Sequence, residues 1–155
     1  MRKSFLLLLA VVAVTALLAQ PALATTPTEG GGTFTFHPVI QSARMADGNT
    51  FLTATANDAF AGSFTGPYTE QFVFVAHPNG TATVQGTLTC TCIVDGRTGT
   101  LTLRFEGTQA GPAAPVDGQF VVQDATGGLA GLRGDGTFHD VGPAGTYTVR
   151  YHFEP

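Results

Sequence analysis

The chain has 155 residues, of which 43% are hydrophobic and 12% charged, and seven basic residues against eleven acidic ones give it a formal net charge of −4. Binding to nucleic acid requires clustered Lys and Arg, so this composition argues against nucleic acid as a partner, and it disfavours anionic membrane surfaces. The length fits one domain that can bury a sizeable core.

The first 24 residues predict a signal peptide. A basic start, MRK, precedes the apolar run SFLLLLAVVAVTALLA, and Ala22 and Ala24 form a small-residue cleavage site. We therefore expect cleavage after Ala24 and a secreted or extracytoplasmic protein with no membrane association afterwards. A membrane anchor is the alternative, but the apolar run is short for a span.

The remaining chain predicts an all-β fold: a flexible leader at 25–32, then a single domain at 33–155. Thr, Val and Phe favour strands, and no window shows a helical period. Eight strands alternate with turn signals such as HPNG and DGRTG. They are expected at 32–39, 50–62, 66–76, 81–94, 100–108, 116–125, 135–141 and 145–153. Eight strands with short connections favour a barrel or a sandwich.

Alternation along each strand assigns side chains to one face or the other. On the fourth predicted strand, Cys90 and Cys92 share an apolar face, opposite a row of threonines. On the fifth, Leu101 and Leu103 share an apolar face in the same way. The short loop between these strands would bring the two apolar faces together, so both cysteines are expected in an apolar layer.

Two acids lie on otherwise apolar faces. Asp58 shares its face with alanines and a phenylalanine on the second predicted strand, and Glu70 lies between Tyr68 and Phe72 on the third. A hairpin between these strands would bring both acids close together. Burial among apolar side chains raises the pKa of a carboxyl group, which can then serve as a general acid or base. Asp58, Glu70 and Tyr68 are therefore the catalytic candidates, and a hydrogen-bonded structural acid is the alternative.

The same alternation predicts residues that contact a ligand. Tyr147 and Tyr151 share one face of the last strand, so both phenols can point into the interior, and Phe72 and Phe74 share the face of Glu70. These four side chains are the candidate ligand contacts.

The cysteines Cys90 and Cys92 can be interpreted in three ways. Export favours a disulfide, and each cysteine has only the other to pair with. Side chains two apart on a regular strand are about 6.5 Å apart, whereas a disulfide needs Cβ atoms about 4 Å apart, so a bridge requires a local distortion. The pair can also stay as two reduced thiols or bind a soft metal. The four histidines have no zinc-type spacing, and neither a metal nor a cofactor is expected.

A longer segment carries a family resemblance. The stretch ATGGLAGLRGDGTF at 125–138, with FAGSFTGPY at 60–68 and DGRTGTLTLRFEGT at 95–108, resembles an uncharacterised family of small bacterial proteins. Those proteins share the allene oxide cyclase-like barrel, a fold also used by plant dirigent proteins. The resemblance covers residues 33–153. It implies a closed antiparallel eight-stranded barrel with an apolar cavity, and homo-oligomers such as dimers or trimers.

Allene oxide cyclases and dirigent proteins guide a reactive intermediate inside a shaped cavity, and the resemblance implies the same mode of action here. The expected function is therefore that of a secreted β-barrel that encloses a small apolar ligand, with isomerase or cyclase activity by confinement if it is an enzyme. A non-catalytic ligand carrier or an extracytoplasmic structural oligomer is the alternative. An interior filled by Phe and Val side chains would exclude both cyclase and carrier.

Overall fold

The structure, a computed structural model, describes residues 26–154. Its regular secondary structure is nine antiparallel strands in one sheet. The strands are β1 (Thr28–Thr35), β2 (Val39–Ala46), β3 (Asn49–Gly62), β4 (Gly66–Ala76), β5 (Ala82–Val94), β6 (Arg97–Gln109), β7 (Val116–Gly127), β8 (Leu132–Asp140) and β9 (Ala144–Phe153). The predicted signal peptide at 1–24 lies outside the described residues. Within them, no helix combines the length and the apolar character that crossing a bilayer requires.

The sheet closes on itself through β1. Neighbouring strands follow the order β1-β9-β8-β7-β6-β5-β4-β3-β2, and β1 also pairs with β3. The closing contact places Gly32, Thr33 and Phe34 opposite Gly62, Ala61 and Phe60, while all of β1 pairs with β9. Strands β1 and β3 to β9 therefore form a ring. The all-β prediction is confirmed, and consecutive strands from β3 to β9 are neighbours, as their short connecting turns require.

Strand β2 was not predicted, so the sheet has nine strands rather than eight. It pairs with the first half of β3, so β1 and β2 run end to end along the same edge of β3. The single strand predicted at 32–39 was wrong at its end, because the chain leaves β1 after Thr35. Pro38 lacks a backbone N–H and cannot continue the ladder, which explains the break between the two strands.

The flexible leader predicted at 25–32 differs from the structure from Thr28 onward. Its glycines belong to β1 and pair with the middle of β9. A Cβ atom at Gly32 would lie 2.9 Å from the hydroxyl oxygen of Tyr147, so glycine permits a close approach between the strand and the ring. A run of glycines that is typical of a linker is here part of the wall.

The turns divide the ring into two ends. At the first, which we name the packed end, lie the turns 62–66, 94–97 and 127–132; at the second, the open end, lie 76–82, 109–116 and 140–144. Phe64 and Leu129 come from two turns of the packed end and are fully buried in the core. They fill the interior there, and the apolar core is concentrated at this end.

The turn between β5 and β6 fixes the register that brings their apolar side chains into one layer, as predicted. Asp95 and Gly96 both have positive φ, 50° and 74°, as expected for a two-residue hairpin turn. This turn places Cys90 opposite Leu101, and both cysteines are fully buried. The prediction that the cysteines lie in an apolar layer is therefore confirmed.

Candidate functional site

The open half of the ring encloses a cavity of about 1070 Å³. Its wall is largely apolar, with ten Phe and Tyr side chains, and it includes two acids, Glu70 and Asp140. The segments that border the open end, among them Pro112 to Val116 and Asp140 to Pro143, also contribute to the lining. Phe and Val side chains therefore do not fill this half of the interior.

Several of the aromatic rings lie over glycines of the neighbouring strand. A side chain at any of these glycines would meet the ring that faces it. The pairs are Phe34 with Gly145, Phe105 with Gly86, Phe120 with Gly136 and Phe138 with Gly118. Each ring occupies the space of a missing side chain and stays against the wall, so the centre of the cavity remains open.

Glu70 is the buried acid of the cavity wall. It is 7% exposed, and among residues 26–154 its carboxyl group has no hydrogen-bond or ion-pair partner. No fully buried side-chain oxygen of these residues lacks a partner, so the carboxyl oxygens reach the open space of the cavity. Burial raises the pKa of Glu70 from its usual 4.5 to about 8, and the charges of Asp58 and Asp140 contribute to the same shift. At neutral pH this carboxyl group therefore holds a proton that it can donate to a bound molecule.

Tyr68 lies beside Glu70 on β4, as predicted, but its hydroxyl group is already engaged. It donates a hydrogen bond to the carbonyl oxygen of Thr35 at 2.5 Å. Burial, and after it the charge of Glu70, raises the pKa of this phenol well above its usual value. The hydroxyl group thus ties β4 to the end of β1, while the ring lines the cavity.

Asp58 is paired with His37. Its carboxylate lies 2.7 Å from both the backbone nitrogen and Nδ1 of His37, and its side chain is 4% exposed. Burial acts to raise the pKa of Asp58, but the two hydrogen bonds from His37 bring the pKa below its usual value. In the β3–β4 hairpin, Asp58 faces Tyr68 and Ala56 faces Glu70, so the two acids are close together, as predicted. Asp58 itself is not part of the cavity lining.

Sequence reasoning missed Asp140, the second acid of the wall. It ends β8 at the open end, where it accepts a hydrogen bond from the backbone nitrogen of Gly142 at 3.0 Å. Burial raises the pKa of Asp140, although this hydrogen bond and His139 act against the shift. The signal was present in the sequence, because Asp140 shares strand parity with Phe138.

Three of the four predicted ligand contacts line the cavity: Phe72, Phe74 and Tyr147. The Tyr147 hydroxyl group accepts a hydrogen bond from the Phe64 nitrogen at 2.8 Å and lies 3.2 Å from the Phe64 carbonyl oxygen. Only its ring is therefore free for contact. Tyr151 lies outside the lining, at the packed end, and its hydroxyl group donates to Asp95 Oδ1 at 2.8 Å.

Cys90 and Cys92 are joined in a disulfide, with their Cα atoms 5.3 Å apart. Both residues lie in the core of the packed end and neither belongs to the cavity lining. The bond is therefore part of the closed end of the ring. Over the described range 26–154, no group of three or more His, Cys, Asp or Glu side chains is placed to hold a metal ion.

Comparisons with known proteins give a family without an activity. A family model described as a protein of unknown function (DUF3224) matches residues 30–154. No curated protein matches the chain. A crystal structure of a protein with unknown function from the DUF3224 family, from Shewanella oneidensis MR-1, matches with a TM-score of 0.66 and 18% identity, over 83% of this chain and 98% of that one. At this identity the likeness supports the fold alone.

Proposed function

We propose that this chain, which belongs to the DUF3224 family of proteins of unknown function, binds a small and largely apolar molecule inside its ring of strands. The observation that carries the proposal is the cavity of about 1070 Å³, whose wall is aromatic and aliphatic apart from a few polar groups. Binding sites for small molecules are typically concave and apolar, with a small number of polar groups that orient the ligand. Glu70 and Asp140 are such groups here.

The proposal includes the finer fold and the location. The ring would be a closed barrel of the allene oxide cyclase type, with β2 as an addition outside it. Eight strands contribute to the ring, a number whose interior holds one small ligand. Export from the cytoplasm is supported by the disulfide, since such bonds persist in oxidising compartments, and by the sequence of the first 24 residues.

Isomerisation or cyclisation of an uncharged bound molecule is a second candidate, and the proton on Glu70 is the observation that favours it. A carboxyl group with a pKa of about 8 is protonated at neutral pH and can protonate an oxygen atom of a bound substrate. The apolar wall would exclude water from a reactive intermediate. A carrier needs only the cavity, whereas catalysis also requires this proton, so Glu70→Gln separates the two candidates: unchanged conversion of a bound substrate would remove Glu70 as the acid.

Binding of the uncharged fluorescent probe N-phenyl-1-naphthylamine tests the proposal. Its emission rises on transfer to an apolar site, and we expect saturable binding to the wild type. Val84→Trp places a large side chain in the cavity lining and should abolish the rise. Val121→Trp is the matched control, because Val121 is 47% exposed on the outer face, and it should bind as the wild type does.

Two outcomes would contradict the proposal: no saturable emission change with the folded wild type, or equal binding by Val84→Trp and the wild type. Native mass spectrometry of protein purified from a culture supernatant then examines the protein in the form in which cells release it. It would report any retained ligand, the number of subunits in the proposed homo-oligomer, and the presence of the mature chain outside the cell.

A further inference from the structure

We infer that the molecule held in the cavity is a lipophilic cation, with an amine or quaternary ammonium group on an apolar body. This inference rests on the proposed binding function and names the chemical class of its ligand. The described residues supply acids and aromatic faces to the same space, but no Lys or Arg side chain.

The ionisable side chains of the lining are mainly acids. Glu70 and Asp140 are acids, and among the described residues that line the cavity none is Lys or Arg. His37 is the one basic side chain there; it is 66% exposed and pairs with Asp58. All five arginines of the described range lie elsewhere: Arg44, Arg97, Arg104, Arg133 and Arg150. A fatty acid or another organic anion would therefore find no Lys or Arg in the described lining to compensate its charge.

The position of Glu70 makes a cation the complementary ligand. A buried carboxylate is costly unless an opposite charge accompanies it, and in the described chain Glu70 has no such partner. An ammonium group in the cavity would provide that partner. The aromatic faces around it would add cation–π attraction, which is stronger in a site from which water is excluded.

Binding of a cation would displace the proton of Glu70. In the empty cavity this carboxyl group is protonated, and on binding it becomes the carboxylate of an ion pair while its proton passes to the buffer. The groups that face it are Asp58 on β3, Tyr68 on β4, Asp140 at the end of β8 and Tyr147 on β9, with His37 beside Asp58. Since Asp58 has a lowered pKa and both phenols have raised ones, near neutral pH the released proton comes from Glu70.

Three naphthalene probes test the inference by isothermal titration calorimetry. They share one apolar body and differ in charge: (naphthalen-1-ylmethyl)trimethylammonium is a permanent cation, naphthalen-1-ylmethanol is neutral and 1-naphthoate is an anion. We expect the cation to bind at least about tenfold more tightly than the alcohol, and the anion more weakly than both. At neutral pH, in buffers of different ionisation enthalpy, cation binding should release about one proton. From pH 8 to pH 6 its affinity should fall, by up to about tenfold per pH unit.

Glu70→Gln separates charge from shape. This variant should lose about tenfold in affinity for the cation and release no proton, while its affinity for the alcohol stays within about twofold of the wild type. Glu106→Gln is the matched control, since Glu106 lies on the outer face and accepts a hydrogen bond from Gln119; it should behave as the wild type does. Binding of the alcohol without any preference for the cation would overturn the inference and leave the proposed function standing. Failure of every probe, including N-phenyl-1-naphthylamine, would overturn both.

Discussion

The packed end and the open end of the ring are built from the same strands, yet their interiors differ. At the packed end, Phe64 and Leu129 fill the space, and the hydroxyl groups of Tyr147 and Tyr151 are hydrogen-bonded. At the open end, aromatic rings lie back against the wall and Glu70 has no partner within the described chain. The well-packed core and the proposed binding cavity thus lie at opposite ends, so that an unpaired acid is tolerated next to a well-packed core.

Truncation of one phenylalanine at each end should show the largest difference. Phe64→Ala leaves a hole in a fully buried region and should lower the free energy of unfolding by about 4 kcal/mol. Phe74→Ala removes a half-buried ring from the cavity lining and should cost about 1 kcal/mol, because that ring already borders empty space. Urea unfolding followed by circular dichroism measures both, and equal losses would contradict the division into two ends.

The pH dependence of stability should single out the open end. The folded-state pKa of Glu70, about 8, exceeds its usual 4.5, so the folded state holds this proton more tightly than the unfolded state. The contribution of this bound proton to the free energy of unfolding is complete below pH 4.5 and is lost as the pH rises through 8. The free energy of unfolding should fall by at most about 1.4 kcal/mol per pH unit over this range.

Glu70→Gln removes that titration. The variant should therefore become more stable relative to the wild type as the pH rises from about 5 to about 9. We expect the difference in unfolding free energy to reach about 2 to 3 kcal/mol, which is less than the full pKa shift would give because water in the cavity partly solvates the carboxylate. Parallel pH profiles of the two proteins would show that the carboxyl group is solvated rather than buried.

Reduction of the disulfide should affect the packed end alone. The loop that Cys90 and Cys92 close is very short, so the entropic model gives a loss of about 1.5 kcal/mol in unfolding free energy. The affinity for an uncharged probe should be unchanged, because neither cysteine lines the cavity. Denaturant unfolding with and without a reductant measures the loss, and the double variant Cys90→Ala/Cys92→Ala, which should be insensitive to reductant, is its control. A large drop in probe affinity on reduction would contradict this prediction and show that the packed end influences binding in the cavity.

A small effect is expected for Tyr68→Phe. This change removes the hydrogen bond to the Thr35 carbonyl oxygen but keeps the ring, and should cost about 1 kcal/mol of unfolding free energy. Binding of the neutral probe should stay within about twofold of the wild type. Thermal unfolding and probe titration together check this, and a selective loss of binding with unchanged stability would give the hydroxyl group a direct role in ligand contact.

Much of the wall could be predicted from the sequence because alternation along a strand is a local property. It placed Glu70, Phe72 and Phe74 on the interior face, and Cys90 and Cys92 in the apolar layer. These predictions needed only the parity of each residue and the position of a turn.

The predictions that failed depend on contacts between distant segments. Gly30 to Gly32 form strand because β9 lies beside them, and β2 exists because β3 is longer than β1. The pairing of His37 with Asp58 also joins residues far apart in the chain. Alternation along β9 places the Tyr151 side chain on the inner face, as a ligand contact requires. Its position along the ring axis, however, is at the packed end, where it bonds to Asp95. Parity tells which face a residue occupies but not how far along the axis it lies.

The phenylalanine rings that lie over glycines determine the width of the cavity, so substitutions at these pairs can change that width. Phe120 occupies the space over Gly136, and Phe138 the space over Gly118. A larger residue at either glycine would push its ring toward the axis, and a smaller residue in place of the ring would leave bare backbone. The two members of each pair are therefore expected to covary among homologues. A library of variants in which both members of a pair are changed together should yield proteins whose cavities differ stepwise in width.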